Sequence, residues 1–150
     1  MGHDIAWAAT DGQLDLASAD AGLAALLEAC EHAVDQLGAS HPSAQLRALL
    51  IVEQAGSLNL SQLAKELGAT ASAASRLCDR MELAGLLTRD RAAASRREIV
   101  LLPTESGRQL AQSVRESRRA ALGSVLRVMS QEGQEALVSG LRELAAAQRR

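Results

Sequence analysis

The sequence predicts a mainly α-helical protein that contains one two-stranded β hairpin. Three observations lead to this prediction. Alanine and leucine, both strong helix formers, supply 30 and 25 of the 150 residues. Apolar residues recur at helical spacing over most of the chain, and the period changes to that of strands only over residues 86–102. A chain of this length is expected to form one domain with a buried core.

The first two helices are predicted from apolar spacing and from the residues that bound them. Over residues 15–37, leucines and other apolar residues recur at intervals of three or four, and Gly38 suits the end of that helix. Residues 1–13 lack this periodicity and are predicted to form a loose arm. Pro42 suits the first turn of the second helix, where its missing N–H needs no partner, and that helix is expected to stop near Gly56.

A helix-turn-helix is predicted next. Asn59 and Gln62 have the spacing of a capping box and begin a short helix that Gly68 closes. Only two residues then precede another helix, over 71–84, which ends at Gly85. Two helices joined by a tight turn that contains glycine match the description of this motif.

The remaining elements are a hairpin and two further helices. Residues 86–91 and 96–102 are predicted to be strands because β-branched and alternating residues occur there, with a turn over 92–95. Pro103 is expected to break the second strand, and Thr104 can cap a long helix. The apolar stripe of that helix extends to residue 129, and a last helix is predicted to begin near Gly133.

Charge is distributed unevenly along the chain. The net charge of -2 argues against a nucleic-acid partner, but residues 1–46 contain seven acidic residues and no lysine or arginine. Residues 47–150 contain all 16 lysines and arginines against 11 acidic residues, and six of these arginines lie within residues 76–97. A local basic patch on an acidic chain predicts a phosphate-binding surface, and a solvated charged surface is the alternative.

The order of elements resembles the MarR family. Three segments carry the resemblance: DRMELAGLLTR at 79–89, SRR at 95–97 and LPTESG at 102–107. Ser95 and Pro103 depart from the family pattern, which has Asp and Leu at these places. The resemblance implies a winged helix-turn-helix with a two-stranded β wing, flanked by N- and C-terminal dimerisation helices. It divides one domain, 1–150, into a DNA-binding lobe over 39–104 and dimerisation helices over 1–38 and 105–150.

The candidate recognition helix has two faces. The residues expected to face the core are Ala74, Leu77, Met81 and Ala84. The opposite stripe is polar and comprises Ser72, Ser75, Arg76 and Asp79. The second helix of such a motif enters the major groove, where an arginine such as Arg76 can donate two hydrogen bonds to guanine. A solvated amphipathic surface is the alternative.

The wing supplies further arginines. By the resemblance, Arg97 enters the minor groove, whose negative potential attracts a guanidinium. Ser95 cannot form an ion pair with Arg97, so a mobile wing is predicted. Arg89 and Arg91 alternate on the first strand and are expected to contact phosphates, with structural arginines as the alternative. The predicted DNA-binding residues are Ser72, Ala73, Ser75, Arg76, Arg80, Arg89, Arg91, Arg96 and Arg97.

A homodimer is predicted because the apolar stripes of residues 16–37 and 110–144 exceed what one small lobe can cover. Two recognition helices would then face a pseudo-palindromic operator in double-stranded DNA. The acidic first helix is also expected to pair with arginines of the long helix. These are Arg108, Arg115, Arg118, Arg119 and Arg127.

Sensing is left open by the sequence. The resemblance implies a small-molecule effector, a peroxide-reactive cysteine or a bound metal. Cys30 and Cys78 are far apart and have no zinc-site spacing, and no arginine or lysine lies near Cys30, so both are predicted to be packing residues. No cofactor is expected. Trp7 is the one aromatic residue, so a pocket would favour an aliphatic effector or none.

The sequence therefore predicts a sequence-specific DNA-binding transcriptional regulator, with a winged-helix protein-interaction module as the alternative. No Ser/His/Asp set, phosphate-cradling loop or paired acids are recognisable, so an enzyme is not expected. No apolar run of membrane-spanning length and no signal-like start occur, which favours a soluble cytoplasmic protein without a membrane partner.

Overall fold

The computed structural model describes residues 15–37, 41–92 and 95–148, with side chains at these positions except 92–98. Its elements follow the predicted order. The helices are α1 (Leu16–Asp35), α2 (Ser43–Ala55), α3 (Leu60–Leu67), α4 (Ala71–Leu83), α5 (Glu105–Arg127) and α6 (Gln131–Ala147). The strands are β1 (Leu87–Ala92) and β2 (Ser95–Pro103). The mainly α-helical winged fold is confirmed, whereas the arm predicted over 1–13 and the helix end predicted at Gly38 lie outside the described residues.

Local sequence signals set most helix starts. The Asn59 side chain accepts from the Gln62 N–H at 2.9 Å, and the Gln62 side chain accepts from the Asn59 N–H at 2.8 Å. This reciprocal pair satisfies two N–H groups that the first turn of α3 leaves free, and it confirms the predicted capping box. Thr104 caps α5 as predicted, accepting from the Gly107 N–H at 3.0 Å. Pro42 lies one residue earlier than predicted, as the N-cap rather than within the first turn of α2.

The core lies between the helix-turn-helix, the hairpin, α2 and the first half of α5. Its largest fully buried side chains are Leu49, Val52, Leu63, Cys78, Met81, Leu87, Leu101 and Val114. Burial raises the pKa of the Cys78 thiol, so the protonated form is favoured. This position supports the prediction that Cys78 is a packing residue.

The hairpin is joined to the rest of the lobe at an unpredicted point. β1 and β2 are antiparallel, with Leu87 opposite Pro103 and Arg89 opposite Leu101. The second strand is predicted to stop before Pro103, but Pro103 is its last residue. Leu58, between α2 and α3, forms an isolated bridge to Leu101, whose N–H donates to the Leu58 carbonyl at 2.8 Å. Leu101 is therefore paired with Arg89 of β1 on one side and with Leu58 on the other, which fixes this end of the hairpin to the rest of the lobe.

The outer helices leave apolar surface exposed. α1 packs along α5, and α6 makes at most marginal contact with the other described elements. Neither α1 nor α6 contains a buried residue, and Leu23 and Leu144 are 54% and 57% exposed. None of the described helices has the length and apolarity needed to cross a membrane.

The arginines of α5 pair differently from the prediction. Arg115 forms an ion pair with Glu53 of α2, and Arg108 pairs with Glu105 of its own helix at 3.2 Å. Among the described residues, no ion pair joins α1 to α5, so the predicted pairing with the acidic first helix is wrong within one chain. The hydrogen bond from Arg115 holds the pKa of Glu53 below its usual value, so the pair stays charged at neutral pH.

Candidate nucleic-acid interface

A tight turn fixes α3 against α4. Gly68 has φ +65, the left-handed region that favours glycine, and the Ala69 N–H donates to the Ala64 carbonyl at 2.9 Å. Thr70 then caps α4, its hydroxyl accepting from the Ala73 N–H at 3.2 Å. Three consecutive residues thus end one helix and begin the next, and the prediction of a helix-turn-helix is confirmed.

The core-facing side of α4 is almost as predicted. Ala74, Leu77 and Met81 are buried, together with Cys78. Ala84 is exposed, so its predicted place in the core is wrong. The helix ends at Leu83, Ala84 is its C-cap, and Gly85, with φ +69, then turns the chain toward β1, so Ala84 lies at the edge of the buried stripe rather than within it. The buried face anchors α4 and leaves the opposite face free.

That opposite face is polar from the first turn of α4 onward. Ser72 and Arg76 are exposed and Ser75 is half-buried. The Arg76 Nη1 donates to the Ser72 Oγ at 3.0 Å, one helical turn away. Ala73 is half-buried, and Arg80 is exposed nearer the end of the helix. Small hydroxyl side chains and one oriented guanidinium therefore lie together near the N-terminus of α4, which suits contact with base edges and phosphates.

Arg89 has ion-pair partners that the sequence did not predict. Its guanidinium faces α4, where Nη2 donates to Asp79 Oδ1 at 2.7 Å and Nη1 donates to Glu82 Oε2. The side chain is only 28% exposed. The two carboxylates hold the guanidinium against α4 and offset its positive charge, so this geometry favours a structural role over the predicted phosphate contact. Spacing along the strand gave no signal for this pairing, which depends on where β1 lies beside α4.

The rest of the wing is described in part. Arg91 is exposed on β1, two residues beyond Arg89, and its side chain makes no ion pair with any described residue. Ser95, Arg96 and Arg97 lie on β2, but their side chains are outside the described set, so their predicted contacts and the predicted mobile wing stay predictions.

The described residues contain no group of three or more His, Cys, Asp and Glu side chains arranged to hold a metal ion. Cys30 is half-buried on α1. The surface formed by arginine and small polar side chains on α4 and β1 is therefore the candidate binding surface of the described lobe.

Comparisons with known proteins agree with this architecture. The model of the MarR family matches residues 42–99, from the start of α2 into β2. An uncharacterized HTH-type transcriptional regulator of Bacillus subtilis, YfiV, is 29% identical over 103 residues. That match covers 69% of this chain, which spans only 64% of the length of YfiV.

Two solved structures extend the similarity to the outer helices. RV1404 from Mycobacterium tuberculosis is 31% identical with a TM-score of 0.78, and the match covers 93% of this chain and 97% of that one. FabT of Streptococcus pneumoniae, solved in complex with DNA, is 20% identical with a TM-score of 0.71 and coverage of 90% and 98%. At that identity the second match shows the fold alone.

Proposed function

Because the chain belongs to the MarR family, we propose that it is a transcriptional regulator that binds double-stranded DNA in a sequence-specific manner. The observation that carries the proposal is the polar face of α4, where Arg76 and Ser72 are exposed at the N-terminal end of an anchored helix. The second helix of a helix-turn-helix places such residues against base edges in the major groove. The FabT complex supports DNA as the ligand of this fold.

The wing contributes to the same surface in this proposal. Arg91 is the exposed strand arginine with no described ion-pair partner, and we assign it a phosphate contact. Arg96 and Arg97 remain the proposed minor-groove residues, because a narrow groove attracts guanidinium groups. Arg80 is proposed to contact the backbone from the distal part of α4. A small-molecule effector stays a prediction from the family resemblance.

DNA binding is tested by salt titration against the palindrome that the purified protein selects from random duplex DNA. The logarithm of the binding constant is expected to fall linearly with the logarithm of salt concentration, because each neutralised phosphate releases counterions. A non-specific duplex of equal length is the control and should bind at least about 1,000-fold more weakly. Failure to select any sequence, with no salt-dependent binding, would instead favour a protein-interaction module.

The binding unit is proposed to be a homodimer built from α1, α5 and α6. Its support is the apolar surface that one chain leaves open: neither α1 nor α6 has a buried residue, although both carry leucines at helical spacing. A two-fold dimer presents two recognition helices, so the half-sites should be about 10 bp apart or a multiple of that distance.

Sedimentation equilibrium tests the assembly at micromolar concentration. We expect a species of about twice the 15.7 kDa chain mass. Replacing two exposed leucines by charge, Leu23→Glu with Leu144→Glu, should shift the protein toward the monomer, whereas Leu83→Glu, outside the proposed interface, should not. A monomeric wild-type protein that still binds a palindrome tightly would contradict the dimer.

A further inference from the structure

Arg89 connects the two elements that the proposed function brings to DNA. It lies on β1, the first strand of the wing, and its guanidinium reaches Asp79 and Glu82 on α4. The two acids are three residues apart and so lie one turn apart on the helix. One planar guanidinium donates to both, and such charge-assisted bonds are about twice as strong as neutral ones and more directional.

The same contact changes the charge of the recognition surface. Asp79 is 57% exposed and belongs to the outward stripe of α4 that includes Arg76. An unpaired carboxylate there would repel the DNA phosphates. The ion pair with Arg89, which Glu82 shares, reduces that repulsion, and the Asp79 hydrogen bond raises the pKa of Arg89 above its usual value, so the cation persists.

Arg91 provides a natural comparison on the same strand. Residues two apart on a strand share a face, so Arg89 and Arg91 leave β1 on the same side. Arg91 is exposed and has no ion-pair partner among the described residues, whereas Arg89 is held by two carboxylates. Two arginines of similar sequence context therefore have different surroundings.

From these contacts we propose that Arg89 is a positioning residue for DNA binding. It fixes the wing against the recognition helix and offsets one of the two negative charges that Asp79 and Glu82 place on that helix. The proposal rests on the proposed function, since it assumes that α4 and the wing face DNA. It predicts that the contribution of Arg89 to affinity depends on Asp79 and Glu82, because Arg89 acts through them and not by touching phosphate.

A double-mutant cycle measures that dependence. Arg89→Ala is expected to weaken binding to the selected operator about tenfold, but by less than about threefold when Asp79→Asn and Glu82→Gln are already present. The matched control, Arg91→Ala, removes the same charge and should cost the same factor in both backgrounds. An equal loss for Arg89→Ala in both backgrounds would mean a direct phosphate contact and would overturn the proposal.

A second measurement needs no DNA. In the free protein, amide hydrogen exchange over β1 (Leu87–Ala92) should be about tenfold faster in Arg89→Ala than in wild type and unchanged in Arg91→Ala. Arg89→Lys keeps the charge but lacks the two terminal nitrogens with which the guanidinium reaches the two acids, so it should behave like Arg89→Ala in exchange. It also guards against the case in which Arg89→Ala fails to fold. Unchanged exchange in both Arg89 variants would overturn the proposal. A wild-type protein that binds no duplex DNA but shows the exchange effect would refute the proposed function and leave the wing contact standing.

Discussion

Gly107→Ala is expected to lower the free energy of unfolding by about 3 kcal/mol, the upper end of the usual cost of overpacking. A Cβ atom at this position would overlap the Leu86 carbonyl oxygen. It would also lie 3.0 Å from the Leu86 carbonyl carbon and 3.2 Å from the Leu49 Cδ1. Two of the three obstacles are backbone atoms, so a simple change of rotamer cannot relieve the overlap.

The backbone of Leu86 has little freedom to move away. Its carbonyl oxygen accepts from the Thr104 N–H at 3.1 Å, and its own N–H donates to the Met81 carbonyl at 2.9 Å. The Thr104 hydroxyl also donates to the Gly85 carbonyl at 2.6 Å. These bonds hold the end of α4 against the start of α5, so displacing Leu86 would break several of them at once.

Urea denaturation followed by circular dichroism measures the expected loss. Gly123→Ala, on the same helix, is the control, because nothing lies within 4 Å of the added Cβ. That change should alter stability by no more than about 1 kcal/mol, in the stabilising direction, since alanine is the better helix former. A Gly107→Ala protein as stable as wild type would show that α5 can shift on the α4–β1 turn without cost.

The elements of the DNA-binding lobe were predictable because their signals are local. The Asn59 and Gln62 capping box, the turn at Gly68 and the cap at Thr104 each involve residues within four positions of one another. The buried face of α4 was predictable for the same reason, since helical period alone brings Ala74, Leu77 and Met81 to one side. These local signals therefore predicted where the candidate recognition helix begins and which of its faces is buried.

The contacts that join these elements were not predictable, because they depend on tertiary placement. Nothing near Leu58 in the sequence indicates a bridge to Leu101, and nothing near Arg89 identifies Asp79 as its partner rather than a phosphate. In the sequence, Gly107 is only one residue of a segment that resembles the MarR family, and nothing there indicates its close approach to Leu86. Long-range pairing and close packing have no short-range sequence signature.

Arg76→Ala is expected to weaken operator binding by about 1–3 kcal/mol and to relax the preference at one base pair in each half-site. Arg76 is exposed on the outward face of α4, and Nη1 donates to the Ser72 Oγ at 3.0 Å. This hydrogen bond holds the long side chain along the helix and leaves other guanidinium N–H groups for guanine. Pre-orientation lowers the entropy lost when the arginine docks in the groove.

Binding to a panel of operators, each with one base pair changed, separates base readout from electrostatic attraction at fixed salt concentration. Arg76→Lys is the matched control, because it keeps the positive charge but cannot form the two parallel hydrogen bonds of a guanidinium. If Arg76 reads guanine, both variants should lose the preference at the same base pair, while Arg76→Lys keeps the salt dependence of wild type. Removing the Ser72 hydroxyl with Ser72→Ala should weaken binding in the same direction by a smaller factor, since the guanine contact remains. Uniform weakening by Arg76→Ala across the whole panel, with full recovery in Arg76→Lys, would instead make Arg76 a phosphate contact and leave sequence preference to other residues of α4.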